Sequence, residues 1–296
     1  MVCACIDIGS NTTRLLVAEP ADGRIRELLR QRAFTRIGKG LAHDDSIPRR
    51  KIAEVVDVVA TQVRVARELG SETIRAVATA AIRDAANQDE LTAAITARCG
   101  LEIDVLTDEE EARLAFVGAT SALDHPPDGD IAVVDVGGAS SEIAIGTNAG
   151  GVRVSSSFRV GSGMLADAYI HSDPPSIGDL AQLRAHVAGT FEGFVLPTPE
   201  LAVAVGGSAT SLRRLVGNLL DHESLERGLR ILASTPSDRV ARSVEIEAER
   251  VRLLPAGLLI LEEIGDRLGR PLGVGRGGLR EGVIVDMLIT AGWGAK

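Results

Sequence analysis

Apolar positions along the chain fall into two regimes, short runs of strand length and longer stretches at the helical period. Residues 4–8 and 14–18 read as a hairpin around a turn of small polar residues, and a third β-rich run covers 24–35. The same trio returns at 131–136, 142–146 and 152–160. After each trio the period lengthens. Helices are expected over 49–69, 87–98 and 107–123 with a strand at 73–77, then over 176–194 and from Ser208 with a strand at 201–205, and later helices run to Asp286 and beyond. Three strands in a meander followed by alternating helix and strand predict a mixed sheet flanked by helices, twice over. The segment HPPDGD at 125–130 reads as the linker between the halves.

The halves share more than a pattern. Set against each other, CIDIGSNTTRLLVAE and VVDVGGASSEIAIGT match Asp7 to Asp135, Gly9 to Gly137, Thr12 to Ser140 and Thr13 to Ser141 at one constant offset. That offset is about a domain length, so the chain is expected to carry a duplicated fold.

Composition narrows the class. Aromatics are only 2% against 45% hydrophobic residues overall, which suits buried sheets of small aliphatic side chains and argues against base-stacking platforms. A net charge of −9 disfavours an extended nucleic-acid surface. The amino terminus has no basic region ahead of its apolar run, and the stretch 253–261 is too short and too interrupted to span a bilayer. A cytoplasmic protein without membrane or nucleic-acid partners is expected. Three cysteines imply reduced thiols, with Cys3 and Cys5 on one face of a strand as buried structural groups rather than a zinc pair. His43 and Asp44 lie in a polar stretch and read as solvated loop, not as a metal dyad.

The turns carry the candidate chemistry. Small residues between strands present backbone N–H groups to an anion with no Cβ in the way. Gly9, Ser10 and Asn11 do so in the first turn with the hydroxyls of Thr12 and Thr13, and Gly137, Gly138, Ala139, Ser140 and Ser141 in the second. A third glycine loop, AVGGSATSL, places Gly206, Gly207 and Ser208 between a strand and a helix, and a fourth, GRGGLREG, covers 275–282. Each turn follows an aspartate at a strand end, and Asp7 and Asp135 are positioned to hold Mg²⁺ while the loops hold phosphates. In the acidic run 107–111, Thr107 and Glu110 form a capping box, and the helix dipole accounts for Asp108 and Glu109. Glu111 turns toward the packed face that carries Leu114 and Ala115.

The strings IDIGSNTTRLLV, VDVGGASSEIAIG, AVGGSATSL and GGLREGVI, in this order, resemble the exopolyphosphatase and guanosine pentaphosphate phosphohydrolase family of the actin-like ATPase superfamily. The resemblance implies an α/β protein of two ribonuclease-H-like domains with an interdomain cleft. Residues 1–124 would form the first, joined by the carboxy-terminal helix 279–296, and residues 125–278 the second. It resembles the short form, without the helical domains that larger members add, and a homodimer is implied. The resemblance further implies Glu111 as catalytic base, with Glu110 as the alternative, Asp135 and Glu142 around metal and water, Arg83 on phosphate, and Mg²⁺ or Mn²⁺ as cofactor. Two positions depart from the pattern: Ala139 replaces a third loop glycine, and Ser162-Gly163-Met164-Leu165 stands where many members carry an arginine. For Arg83 the bland reading is a surface arginine paired with Asp84.

The function expected is hydrolysis of the terminal phosphate of inorganic polyphosphate, with guanosine pentaphosphate as the alternative substrate. An ATP-using kinase or ATPase, or a sensor that binds without turnover, are the other classes considered.

Overall fold

The computed structural model describes residues 1–38 and 45–293, so His43 and Asp44 lie outside the described residues. The chain forms two compact units, residues 1–122 with 277–296, and residues 123–276.

The first unit opens with β1 (Val2–Ile8), β2 (Thr13–Ala21) and β3 (Arg24–Ala33), a meander of antiparallel pairs. Helix α1 (Arg49–Glu68) follows, then β4 (Ser71–Ala78), the single turn α2 (Ala80–Arg83), α3 (Gln88–Cys99), β5 (Ile103–Val105) and α4 (Asp108–Thr120). The sheet order is β3-β2-β1-β4-β5, with β4 parallel to β1 and to β5. Alternation along β1 divides its side chains between two layers. Ala4, Ile6 and Ile8 pack with the buried stripe of α1, Ile52, Val55, Val59 and Val63, and with Leu91 and Ile95 of α3. Cys3 and Cys5 face the opposite layer with Leu16, Val77 and Leu114. Burial pushes both thiols up, Cys5 well above the ordinary value, and makes them packing groups rather than nucleophiles.

The second unit repeats the meander as β6 (Ile131–Val136), β7 (Ser141–Thr147) and β8 (Gly151–Phe158). Then come α5 (Ser162–Tyr169), α6 (Ile177–Thr190), β9 (Leu201–Val205), α7 (Gly206–Val216), β10 (Leu219–Leu220), α8 (His222–Ser234), α9 (Ser237–Val244), α10 (Ala248–Val251), α11 (Leu254–Leu268) and β11 (Leu272–Val274). Its sheet order is β10-β11-β9-β6-β7-β8, again mixed, with β9 parallel to β6. Helix α11 is buried along most of its length, because its Leu and Ile residues fill the single core of this unit. No helix among the described residues is long and apolar enough to cross a membrane.

The last helix, α12 (Leu279–Thr290), belongs to the first unit. Its Leu279, Val283, Ile284 and Leu288 join the Cys3–Cys5 layer. Here the reading of GRGGLREG as a phosphate loop meets a different use of glycine. A Cβ on Gly118 of α4 would overlap the carbonyl oxygen of Gly278, and one on Gly282 would overlap the carbonyl oxygen of Leu114. These glycines let α4 and α12 touch backbone to backbone.

Gly118→Ala is therefore expected to destabilise the fold by about 1–3 kcal/mol through overpacking. Gly189→Ala, in a helix with nothing within 4 Å of the added methyl, should instead be neutral or stabilising by up to about 1 kcal/mol. Denaturant unfolding of the two variants checks the contrast, and equal effects would contradict the close helix contact.

Candidate active site

In the first unit, β1 and β2 are joined by a turn that the Gly9 N–H closes on the Thr12 carbonyl at 3.0 Å. Asp7, next to last in β1, is 8% exposed, and burial raises its carboxyl above the ordinary aspartate value despite the opposing pull of Arg14 and Arg280. Asp7 stands directly opposite Arg14 in the β1–β2 ladder, and Arg14 stands opposite Arg32 in the β2–β3 ladder. The Arg14 Nε donates to Thr12 Oγ1 at 2.9 Å, and Thr13 Oγ1 bonds Thr35 Oγ1 at 3.1 Å in the interior. Both threonine hydroxyls thus stiffen the turn from beneath. Ser10 and Asn11 hold it from the side, their carbonyls accepting from the Gly38 and Arg36 N–H groups.

Helix α4 begins as its sequence requires. Thr107 accepts from the Glu110 N–H at 3.2 Å, and the Glu110 carboxylate accepts from the Thr107 N–H at 3.2 Å. Glu110 is therefore committed to the cap. Glu111 is buried at 8% exposure and accepts from Arg83 Nη1 at 3.2 Å. Arg83 also bonds the Leu106 carbonyl at 2.6 Å and the Asp108 carboxylate. The bland reading paired Arg83 with Asp84, but α2 points the guanidinium across to the first turn of α4, where Asp108 and Glu111 meet it.

The second unit uses the same backbone with different side chains. Asp135 stands opposite Glu142 in the β6–β7 ladder, and Glu142 stands opposite Ser157, whose hydroxyl donates to Glu142 Oε1 at 3.1 Å. Glu142 is 3% exposed. The Gly137 N–H closes the turn on the Ser140 carbonyl at 3.0 Å. Ser140 and Ser141 are buried, and Ser141 Oγ donates to the Val160 carbonyl at 2.5 Å.

The departing segment 162–165 proves to be the first turn of α5. Its Ser162 N–H donates to the Gly137 carbonyl at 2.9 Å, and the Gly163 and Met164 N–H groups donate to the Gly138 carbonyl at 3.0 and 2.9 Å. The loop carbonyls are thereby turned onto α5, which fixes the conformation of Gly137-Gly138-Ala139.

Gly206, Gly207 and Ser208 form no separate loop but the first turn of α7 itself. Gly206 has φ +79°, and a Cβ there would collide with Asp135 Oδ1, so the position demands glycine twice. Sequence reasoning missed one charged group here. Arg250 of α10 is 6% exposed, lies over the Cα of Gly207 and donates from Nε to Ser211 Oγ at 3.0 Å. One arginine of the charged stretch Glu249-Arg250-Val251-Arg252 carries no local signal that it will be buried at a helix start remote in sequence.

Two mixed sheets flanked by helices, each with an aspartate-then-glycine turn in its first hairpin, define a two-domain protein of the ribonuclease-H-like, actin-like class. The sequence matches the Ppx/GppA phosphatase family over residues 16–291. The chain belongs to that family and is an enzyme of its phosphohydrolase type. It is 28% identical to Exopolyphosphatase 2 of Mycobacterium tuberculosis over 96% of both chains. It is also 28% identical to Exopolyphosphatase 1 of Mycobacterium bovis, over 87% of this chain and 79% of the relative. Among solved structures, the Aquifex aeolicus Ppx/GppA family member superposes with a TM-score of 0.84 at 27% identity over 98% of both chains. An exopolyphosphatase from Cytophaga hutchinsonii superposes at 0.86 with 20% identity over 98% of both, which bears on the fold alone.

The buried Asp7 yields a pH prediction. Its folded carboxyl ionises at higher pH than the unfolded one, so its contribution to stability is fully present below the unfolded value, about 4, and is lost as pH rises through the folded value. Asparagine does not titrate. Asp7→Asn should therefore raise the melting temperature relative to wild type at pH 7, and the gain should shrink as pH falls toward 4. A gain that grows on acidification would contradict burial as the dominant influence.

Proposed function

We propose that this chain is an exopolyphosphatase that hydrolyses the terminal anhydride of inorganic polyphosphate with Glu111 as general base and Mg²⁺ as cofactor. The observation that carries the catalytic assignment is the division of labour in the first turn of α4. Glu110 closes the cap, while Glu111 is buried and held by Arg83. The polyphosphate assignment is supported by the relatives named exopolyphosphatase, similar over nearly the whole chain.

The donor set suits Mg²⁺, which takes oxygen ligands from one or two carboxylates and completes its shell with water and substrate phosphate. Among the described residues no group of three or more Asp, Glu, His or Cys is gathered for a metal. Asp135 with Glu142, opposite each other on one face of the β6–β7 ladder, would hold the ion. Bound there it would neutralise charge on the transferring phosphoryl group. Within the first unit the N–H groups of Ser10 and Asn11 and the Arg83 guanidinium, and within the second those of Gly138 and Ala139, the first turn of α7 and the buried Arg250, are suited to phosphate oxygens. Glu111 takes the proton of the attacking water as its oxygen bonds to the terminal phosphorus. The anhydride P–O bond breaks, orthophosphate leaves, and the chain is one phosphate shorter.

Glu111→Gln should lower kcat by about 10²- to 10⁴-fold with KM nearly unchanged, about 3–5 kcal/mol of barrier, because the amide still bonds the water but cannot take its proton. Glu110→Gln should keep kcat and lose about 0.5–2 kcal/mol of stability. Phosphate release from polyphosphate and guanosine pentaphosphate at matched Mg²⁺ checks substrate and base together. Faster turnover of the pentaphosphate would reassign the substrate, binding without release from either would indicate a sensor, and a dead Glu110→Gln beside an active Glu111→Gln would move the base by one position.

A further inference from the structure

We propose that Thr79 is a further substrate-contacting residue, whose hydroxyl donates to an oxygen of the phosphoryl group held at the first glycine turn. The inference rests on the phosphohydrolase reading above and deepens it.

Buried hydroxyls are costly unless they find a partner, and most of those in this protein do. In the first unit the Thr13, Thr35 and Thr120 hydroxyls are bonded inside the protein, and in the second those of Ser141, Ser162 and Ser211. Among the described residues the exceptions are Thr79, Ser140 and Ser208, which are buried without a side-chain hydrogen bond. Ser140 lies in the turn of the second hairpin and Ser208 in the first turn of α7, where the sequence already placed phosphate donors. Thr79 carried no such expectation. It nevertheless stands beside the first glycine turn, since a Cβ on Gly9 would lie 3.9 Å from Asp7 Oδ1 and 4.0 Å from Thr79 Oγ1. The fully enclosed side-chain atoms without partners are on Gln62, Ser71, Arg83 and Gln88, not on Thr79. Its oxygen is therefore unpaired but open to a ligand.

The backbone around Thr79 is pinned. Its N–H donates to the Ile8 carbonyl at 3.3 Å, and its own carbonyl accepts from the Ile82 and Arg83 N–H groups at 2.9 and 3.1 Å. A β-branched side chain on a fixed backbone has few settings left. A threonine ahead of a helical turn ordinarily directs its oxygen onto an N–H two or three residues on, as Thr107 does before α4. Thr79 occupies the same place before α2 and makes no such bond. The hydroxyl thus forgoes its local partner, and the acceptor that completes it comes from outside the chain. The neighbouring Ser10 and Asn11 N–H groups and the Arg83 guanidinium suit phosphate oxygen, and a hydroxyl donor aimed at the same anion would be preorganised with them.

The test separates the hydroxyl from the shape that carries it. Thr79→Val keeps the branched shape and Thr79→Ala removes it, and both should lower kcat/KM for polyphosphate about 10- to 100-fold, the loss of one hydrogen bond to a charged oxygen. Thr79→Ser should recover most of that loss. Thr79→Val should melt with wild type, because the hydroxyl has no partner inside the protein. Wild-type kcat/KM in Thr79→Val, or a serine variant as slow as the alanine variant, would overturn the contact while leaving the proposed function in place. Calorimetric titration of orthophosphate keeps the two readings apart. If wild type hydrolyses neither polyphosphate nor guanosine pentaphosphate, the function falls, and the contact survives only if Thr79→Val binds orthophosphate more weakly than wild type does. Equal affinity overturns it as well.

Discussion

Cross-strand pairing in two duplicated hairpins is the constraint from which the chemistry of this protein follows. Residues directly opposite in an antiparallel ladder share one face of the sheet, so whatever stands across from the strand-end aspartate is its neighbour on that face. In the first hairpin that neighbour is Arg14, followed by Arg32, and in the second it is Glu142, followed by Ser157. One backbone design therefore yields a row rich in guanidinium and a row rich in carboxylate. Under the proposed function the first row suits phosphate oxygen and the second suits a cation.

The surrounding structure keeps these groups in place. Helix α4 carries Glu111, and its contact with α12 is backbone against backbone through Gly118, Gly278 and Gly282, which leaves little freedom to slide. Arg83 ties the first turn of α4 to the end of α2. In the other unit, the first turn of α5 grips the carbonyls of Gly137 and Gly138, and Gly206 leaves room for the Asp135 carboxylate. Preorganised donors of this kind stabilise developing charge without rearranging during the reaction.

Much of this was legible in the sequence because its signals are local. The strands of each trio, the matched Asp-x-Gly turns and the Thr107–Glu110 cap are each signalled by near neighbours in the chain, and the four strands expected in each half formed as the periodicity indicated. Three features were not legible, for one physical reason. The Arg14–Arg32 pairing depends on a register shift at Val17–Ala18 in the β2–β3 ladder. The placement of Arg250 over Gly207 joins residues remote in the chain. The use of GRGGLREG glycines for contact between α4 and α12 depends on which backbone faces them. Periodicity reports what a segment does and is silent on what it meets.

Under the proposed function the metal sits on the second hairpin, with Asp135 and Glu142, and not on the first. Titration of Mn²⁺, as a paramagnetic reporter for Mg²⁺, into wild type, Glu142→Gln and Asp7→Asn measures this directly by the free-ion resonance signal. Glu142→Gln is expected to weaken metal binding at least tenfold, while Asp7→Asn, whose carboxylate stands opposite Arg14, should bind as wild type does. Metal binding lost with Asp7→Asn and kept with Glu142→Gln would contradict it.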